Sequence, residues 1–342
     1  PWSGPLQIVE LRNGDIVVHD SREKRLVVAS FRTQEQADAA KEGSGPTEFR
    51  SVIGMWRMPG DSVQVMDLMQ QRMLVLDPTG RAKRTMPLPG AGDPMALMRS
   101  PMTRAMDARG RLYGEGRDMR FEGGRISFGD SVVIVRTDPG TRRADSLARM
   151  LNIVKAPQIS QQGMRIEAPG YPKYDIWGVF PDGRVIVLRA EGYVPEIFGV
   201  NGQARRAAAL PYPRLPVTAA DRRQMMDSMK RAMDEGMRQA AGMAPAGAQM
   251  PRVDLVEPEA WQTEKPPFTG DRVYVDPRGR AWVPVVDRTP GQRFDLLNAD
   301  GQIVDAIKLP PGTHLLGFGA ATVYTARRDA DDLLYIRRHP LP

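Results

Sequence analysis

Histidine is the scarcest chemical resource in this chain of 342 residues, which holds only His19, His314 and His339. No two of them stand at a spacing that would let one helix or one hairpin hold a metal. Each reads as a hydrogen-bonded structural imidazole rather than a general base. A nucleophilic serine would be expected in a Gly-x-Ser-x-Gly elbow, and the chain has none. Cysteine is absent, which removes disulfides, thiolate catalysis, iron–sulfur clusters and Cys-based zinc sites. Asp329, Asp331 and Asp332 share the acidic spacing of a calcium loop. They lack the Gly at its sixth position and the Glu at its twelfth, so they read as a solvated turn. We therefore assign no catalytic residue and no metal ligand, and expect no cofactor.

Methionine is plentiful instead, with 20 residues. Met226, Met229, Met233 and Met237 recur at steps of three, four and four, which places them on one face of a helix. Thr218 is a plausible N-cap with Asp221 three residues on, so the helix is expected at about 219–241. Arg222, Arg223, Lys230, Arg231 and Glu235 fall on the other face, and Gly242 and Pro245 would end it. The stripe suits packing against the rest of the protein. It equally suits docking of a protein partner, because Met is adaptable at binding surfaces. Thioether binding of Cu(I) would lack supporting His or Cys. A membrane-surface helix would lack bulky Leu, Phe or Trp.

Charge narrows the partner class. The net charge of +7 comes from 48 basic and 41 acidic residues, the basic ones dominated by Arg. No run of five basic residues occurs and no aromatic residues interleave a basic stripe, so a nucleic-acid partner is not expected. No apolar stretch approaches the roughly 18 residues needed to span a bilayer. The sequence opens at Pro1 rather than Met. We expect removal of a signal sequence and an extracytoplasmic location, periplasmic or secreted.

The elements that carry these residues follow from an internal repeat. One turn type appears as Asn13-Gly14, Pro59-Gly60, Arg109-Gly110, Asp182-Gly183 and Arg278-Gly279. Short apolar strands follow it, such as Val185-Ile186-Val187-Leu188. A second turn type appears as Thr79-Gly80, Pro139-Gly140, Asn201-Gly202 and Asp300-Gly301, each preceded by another strand. Strand, turn, strand, loop, strand, turn, strand is a four-stranded antiparallel meander. One meander cannot bury both faces, so copies must pack radially. Six units begin near Leu6, Ser51, Pro101, Tyr174, Asp271 and His314. The expected fold is all-β: a six-bladed β-propeller of four-stranded antiparallel blades, one domain over residues 1–342. The last unit runs out one strand short, with about five residues before the first strand to complete it.

Gly43-Ser44-Gly45-Pro46-Thr47-Glu48-Phe49 resembles the Gly-x-Gly-Pro-Gly-Glu-Phe junction of bacterial NHL-like six-bladed propellers, with Thr47 at a position that is usually Gly. Leu315-Leu316-Gly317-Phe318-Gly319 and the acidic turn from Asp329 resemble that family's last blade. The resemblance implies that Gly43, Gly45, Pro46, Glu48 and Phe49 are a structural blade junction. Phe49 would pack between sheets and Glu48 would satisfy backbone donors. It also implies two enzyme classes to weigh. Some related lyases hold metal with several His and a Met, a set that three scattered His do not supply. Others are lactonase-like hydrolases around a central Ca²⁺, whose ligands leave little local trace. Trp56, Trp177 and Trp282 stand at strand positions suited to inter-blade packing, with ligand stacking as the alternative.

Turn spacing exposes two insertions. The first-turn glycines lie 46 and 50 residues apart, then 73 and 96. Residues 152–172 read as a long loop, and residues 211–267 as an inserted segment carrying the Met-striped helix between blades 4 and 5. The leading expectation is a non-catalytic protein-binding or scaffold propeller. An extrinsic accessory subunit of an extracytoplasmic membrane complex, respiratory or photosynthetic, would suit it. The alternatives are a Ca²⁺-dependent lactonase-like hydrolase acting in the central channel, and a sugar- or peptide-binding module at its mouth.

Overall fold

The computed structural model describes residues 2–88, 90–93, 100–122, 125–141, 143–151, 158–160, 163–243, 252–331 and 333–342. Blade 1 comprises β1 (Leu6–Glu10), β2 (Ile16–Asp20), β3 (Arg25–Ala29) and β4 (Gln36–Ala40). Blade 2 comprises β5 (Val52–Arg57), β6 (Val63–Asp67), β7 (Arg72–Leu76) and β8 (Ala82–Pro87). Blade 3 is built of β9 (Met102–Met106), β10 (Leu112–Glu122), β11 (Arg125–Thr137) and β12 (Ala144–Leu151). Two short strands follow, β13 (Gln158–Ser160) and β14 (Gly163–Glu167). Blade 4 has β15 (Ile176–Val179), β16 (Val185–Arg189), β17 (Val194–Phe198) and β18 (Ala204–Arg206). The helix α1 (Ala219–Met243) and β19 (Val253–Val256) come next. Blade 5 has β20 (Tyr274–Val275), β21 (Ala281–Val285), β22 (Gln292–Leu297) and β23 (Ile303–Leu309), and blade 6 has β24 (Thr313–Phe318), β25 (Thr322–Arg328) and β26 (Leu334–Pro340). Every blade is an antiparallel meander in sequence order.

Alternation along the middle strands makes the ring. In β16, Ile186 and Leu188 join the core shared with blade 5, whereas Val185 and Val187 join the core shared with blade 3. Each sheet thus buries both faces, which is why these strands read as continuous apolar runs rather than alternating ones. Among the described residues one apolar cluster fills each junction, from blades 1 and 2 round to blades 6 and 1. The first strands line the axis: β1 touches β24 and β5, β5 touches β9, and β15 touches β9 and β20. The molecule is a six-bladed propeller.

The ring closes with very little chain. Trp2 forms an isolated antiparallel bridge to Leu334, donating its N–H at 2.9 Å and accepting that of Leu334 at 2.7 Å. Its indole is buried in the blade 6–blade 1 core with Tyr324 and Ile16. One residue therefore stands where blade 6, with three strands, lacks a fourth.

Strand direction gives the propeller two unlike faces. Turns between first and second strands, and between third and fourth, lie at the turn face. Second-to-third turns and all blade-to-blade connections lie at the opposite, crossover face. At the turn face Gly110 and Gly279 take φ of 80° and 74°, left-handed values that favour glycine. Both insertions are blade-to-blade connections, so both emerge at the crossover face. Extra residues in blade 3 do not form a loop but lengthen the β10–β11 hairpin.

Candidate functional site

The axis holds a two-part channel. Toward the turn face, a hollow of about 570 Å³ is lined by residues from all six first strands and the turns after them, among them Glu10, Arg57, Asp107, Pro181, Asp276 and Phe318. Toward the crossover face, a hollow of about 210 Å³ is lined by Trp56, Arg104, Trp177, Arg272 and apolar neighbours from blades 2 to 5. Trp56, Met106, Val179 and Val275 line both hollows, so they form an apolar waist between two polar mouths.

Three channel carboxylates come from alternate blades; Asp107 and Asp276 are committed to their own turns and Glu10 to blade 6. Asp107 accepts the Arg111 N–H at 3.0 Å, the Arg111 Nε at 2.7 Å and the Tyr113 hydroxyl at 2.9 Å. Asp276 repeats the arrangement with the Arg280 N–H at 2.9 Å, the Arg280 Nε at 2.8 Å and Trp282 Nε1 at 3.0 Å. The sequence signature is Asp-x-x-Gly-Arg-x-aromatic, at Asp107–Tyr113 and Asp276–Trp282. Glu10 accepts the Ala320 N–H at 2.8 Å, the Thr322 hydroxyl at 2.6 Å and the Tyr324 hydroxyl at 2.5 Å. Burial opposes ionisation of Glu10, but these bonds outweigh it and hold its carboxyl below the usual range. Burial and the same pairing push the Tyr324 phenol up to about 12.

The crossover mouth carries the opposite kind of chemistry. Arg104 bridges Glu115 at 3.2 Å and Asp271 at 3.1 Å, and Glu115 also accepts Trp177 Nε1 at 2.9 Å. Arg272 meets Asp271 through its Nε at 3.3 Å, and its side chain is half exposed. Burial alone would raise the Asp271 carboxyl, but Arg272 and Arg104 hold it below its ordinary value. Among the described residues, no group of three His, Asp or Glu side chains is arranged to hold a metal ion.

On this crossover face the two insertions are one structure. Residues 152–172, expected as a loop, contain β13 and β14, and β14 pairs in parallel with β19 from the other insertion. Residues 152–157, 161 and 162 lie outside the described residues. The expectation of a loop failed because pairing partners some 90 residues apart leave no local mark. Lys265 reaches Asp221 at 2.7 Å, and the Tyr171 hydroxyl donates to the Asp221 carbonyl at 3.3 Å. Asp221 in turn completes a reciprocal cap with Thr218, whose N–H it accepts at 2.9 Å. The helix ends at Met243, and Pro245 lies outside the described residues.

The structure places Met226, Met229, Met233 and Met237 half-buried along α1, together with Met225, which spacing alone did not single out. Met225 lines an apolar hollow of about 320 Å³ with Tyr171, Tyr174, Phe268 and prolines of the two insertions. Arg222 and Arg223 are exposed, but Arg222, expected on the other face, lies one turn before Met226 on the Met face and stacks over Trp261 at 5.7 Å.

The Gly43–Phe49 segment lies away from the channel, between blades 1 and 2. Glu48 accepts the Gly45 N–H at 2.6 Å, and Phe49 is 1% exposed within the shared core. A Cβ on Gly43 would stand 2.1 Å from the Glu48 carboxylate, which explains a glycine there. Arg72 and Gln70 of blade 2 bind the carbonyls of Gly45, Glu48 and Gly43, stitching the junction to the next sheet. Pro46 sits in the turn of this junction, between Gly45 and Glu48. Of the histidines, His19 is buried against Phe49, while His314 and His339 are exposed. Asp329 caps its own turn through the N–H groups of Asp331 and Leu333, and Asp332 lies outside the described residues.

No family model and no curated protein matches the chain. Solved structures do. The chain is similar to a catalytically inactive virginiamycin B lyase from Staphylococcus aureus with quinupristin, at 10% identity over 99% of this chain and 96% of that one, TM-score 0.49. It is similar to a gluconolactonase from Xanthomonas campestris at 11% identity over 100% and 88%, TM-score 0.48. A member of the DUF4221 family from Bacteroides vulgatus is 11% identical over 100% and 94%, TM-score 0.43. These likenesses are of fold. Arg104, Arg272 and the β14–β19 pairing went unnoticed in the sequence, because the channel rim and the pairing each bring together segments distant in the chain.

Proposed function

We propose that this protein is a non-catalytic binding propeller that presents its crossover face to a protein partner. The observation that carries the reading is the β14–β19 pairing, which joins two separate insertions into one platform beneath α1. A rigid ring with its additions concentrated on one face is the arrangement by which repeat folds individualise a binding surface. The half-buried Met row along α1 supplies adaptable apolar contacts beside exposed Arg222, Arg223, Lys230 and Arg231. A lactonase-like hydrolase would need free carboxylates converging on the axis. Glu10, Asp107 and Asp276 are instead engaged with Tyr324, Tyr113 and Trp282.

The NHL-like kinship and an extracytoplasmic membrane complex as the setting are parts of this proposal that rest on the sequence, on the Gly43–Phe49 junction and on the expected export. None of the described helices is long and apolar enough to cross a membrane. The test is capture of the native protein with its companions, followed by mass spectrometry, from cells carrying either the intact chain or one lacking Thr218 to Pro251. The reading expects a defined companion that the shortened, folded protein fails to retain. Equal retention by both proteins would remove α1 from the binding surface.

A further inference from the structure

The crossover half of the channel has features that neither partner binding by the platform nor closure of the ring requires. Two cations, Arg104 from blade 3 and Arg272 from the lead into blade 5, stand at its rim. Arg104 is spent: Glu115 and Asp271 hold it from two sides. Arg272 is not. The hydrogen bond it makes to Asp271 runs through Nε, Glu115 and Tyr274 act on its charge from nearby, and its side chain retains 52% exposure. A half-engaged guanidinium at the edge of a concavity can pair with a carboxylate through two N–H groups.

Behind the rim the chemistry changes within one strand. Ala105, Met106, Val179, Val273 and Val275 form the wall, and the passage continues through the shared waist into the larger hollow. With Trp56 and Trp177 on the same wall, the site is a polar edge over an apolar slot. The larger hollow, about 570 Å³, is the size of a small-ligand site, and the rim hollow of about 210 Å³ is a narrower entrance to it. The ligand complementary to this gradient carries one anionic head and one slender apolar tail. A doubly charged molecule too short to span the waist would bury a charge in it, and an uncharged one would leave Arg272 without a new partner.

We infer that the channel is a binding site for a linear aliphatic carboxylate, with the head on Arg272 and the tail among Met106, Val179 and Val275. The head group would sit at the mouth on the face that carries the platform, but decanoate binding is read on the isolated chain and partner retention in cells, so the failure of one reading is distinguishable from the failure of the other.

The probe is sodium decanoate below its micelle concentration, titrated into the full chain by calorimetry with tryptophan emission as a second readout. Saturable binding at one site is expected, with 1-decanol binding more weakly. Arg272→Gln should weaken decanoate by about tenfold, the value of one charge-assisted contact, with no change in melting temperature. Val179→Phe should narrow the waist and weaken decanoate more than acetate. Absence of saturable binding would overturn the inference, as would equal affinity for decanoate and decanol. Tighter binding of the tripeptide Ala-Val-Leu than of decanoate would also overturn it, in favour of a peptide-terminus site.

Discussion

Arg22, in the β2–β3 turn of blade 1, pairs with Glu235 of α1 at 3.4 Å. The helix leaves the ring between blades 4 and 5, and blade 1 lies opposite blade 4 in a ring of six. Its first turn is held by Lys265, and among the described residues this exposed pair ties its distal half to blade 1. At about 1.5 Å per residue the 14 steps from Asp221 to Glu235 cover roughly 21 Å, a chord over the crossover face.

Glu235→Lys should free the distal half of α1. An exposed pair of this kind contributes only about a few tenths of a kcal/mol, so global stability should stay within about 0.5 kcal/mol. Limited proteolysis within the helix should nonetheless quicken, and raising the salt should produce the same acceleration in the unaltered protein. Identical cleavage rates for both proteins at low salt would show that the contact does not hold the helix.

Asp276→Ala should cost about 3–5 kcal/mol, because it strands a partly buried guanidinium and the Trp282 N–H together. Asp107→Ala should behave alike in blade 3. The two carboxylates serve separate blades and share no partner, so chemical denaturation of the double variant should give nearly the sum of the single costs.

Phe49→Ala opens a cavity in the core shared by blades 1 and 2, and should destabilise by about 3–5 kcal/mol. Gly43→Ala should weaken the same junction by displacing Glu48 from the Gly45 N–H. Loss of stability in Gly43→Ala should shrink when Glu48 is also replaced by Ala, since the clashing carboxylate is then gone.

His19 gives a pH prediction with a definite sign. Burial holds its imidazole down at about 4, against the opposing charge of Asp20, where the ordinary value is 6.5. The unfolded chain therefore takes up the proton first, and stability falls as pH drops from about 6.5 to about 4. The full effect is about 3 kcal/mol. Chemical denaturation across this window should show a smaller decline for His19→Leu than for the unaltered protein. Parallel declines would mean that other groups govern the acid limb.

The repeat was legible because it is local. Turn glycines and the strands beside them are adjacent in the chain, and a strand apolar on both sides can be satisfied only between two other sheets. That is enough to set the number of blades and their starting points near Leu6, Ser51, Pro101, Tyr174, Asp271 and His314. The Met spacing marked the helix by the same kind of short-range reasoning. Ring closure by Trp2, the meeting of β14 with β19 and the Arg104–Asp271–Arg272 rim belong to the tertiary structure. Each joins residues that are distant in the chain, and a single sequence carries no periodicity for a pairing that happens once. The propeller follows from what each strand must bury, whereas its channel and platform follow from which strands become neighbours when the ring closes.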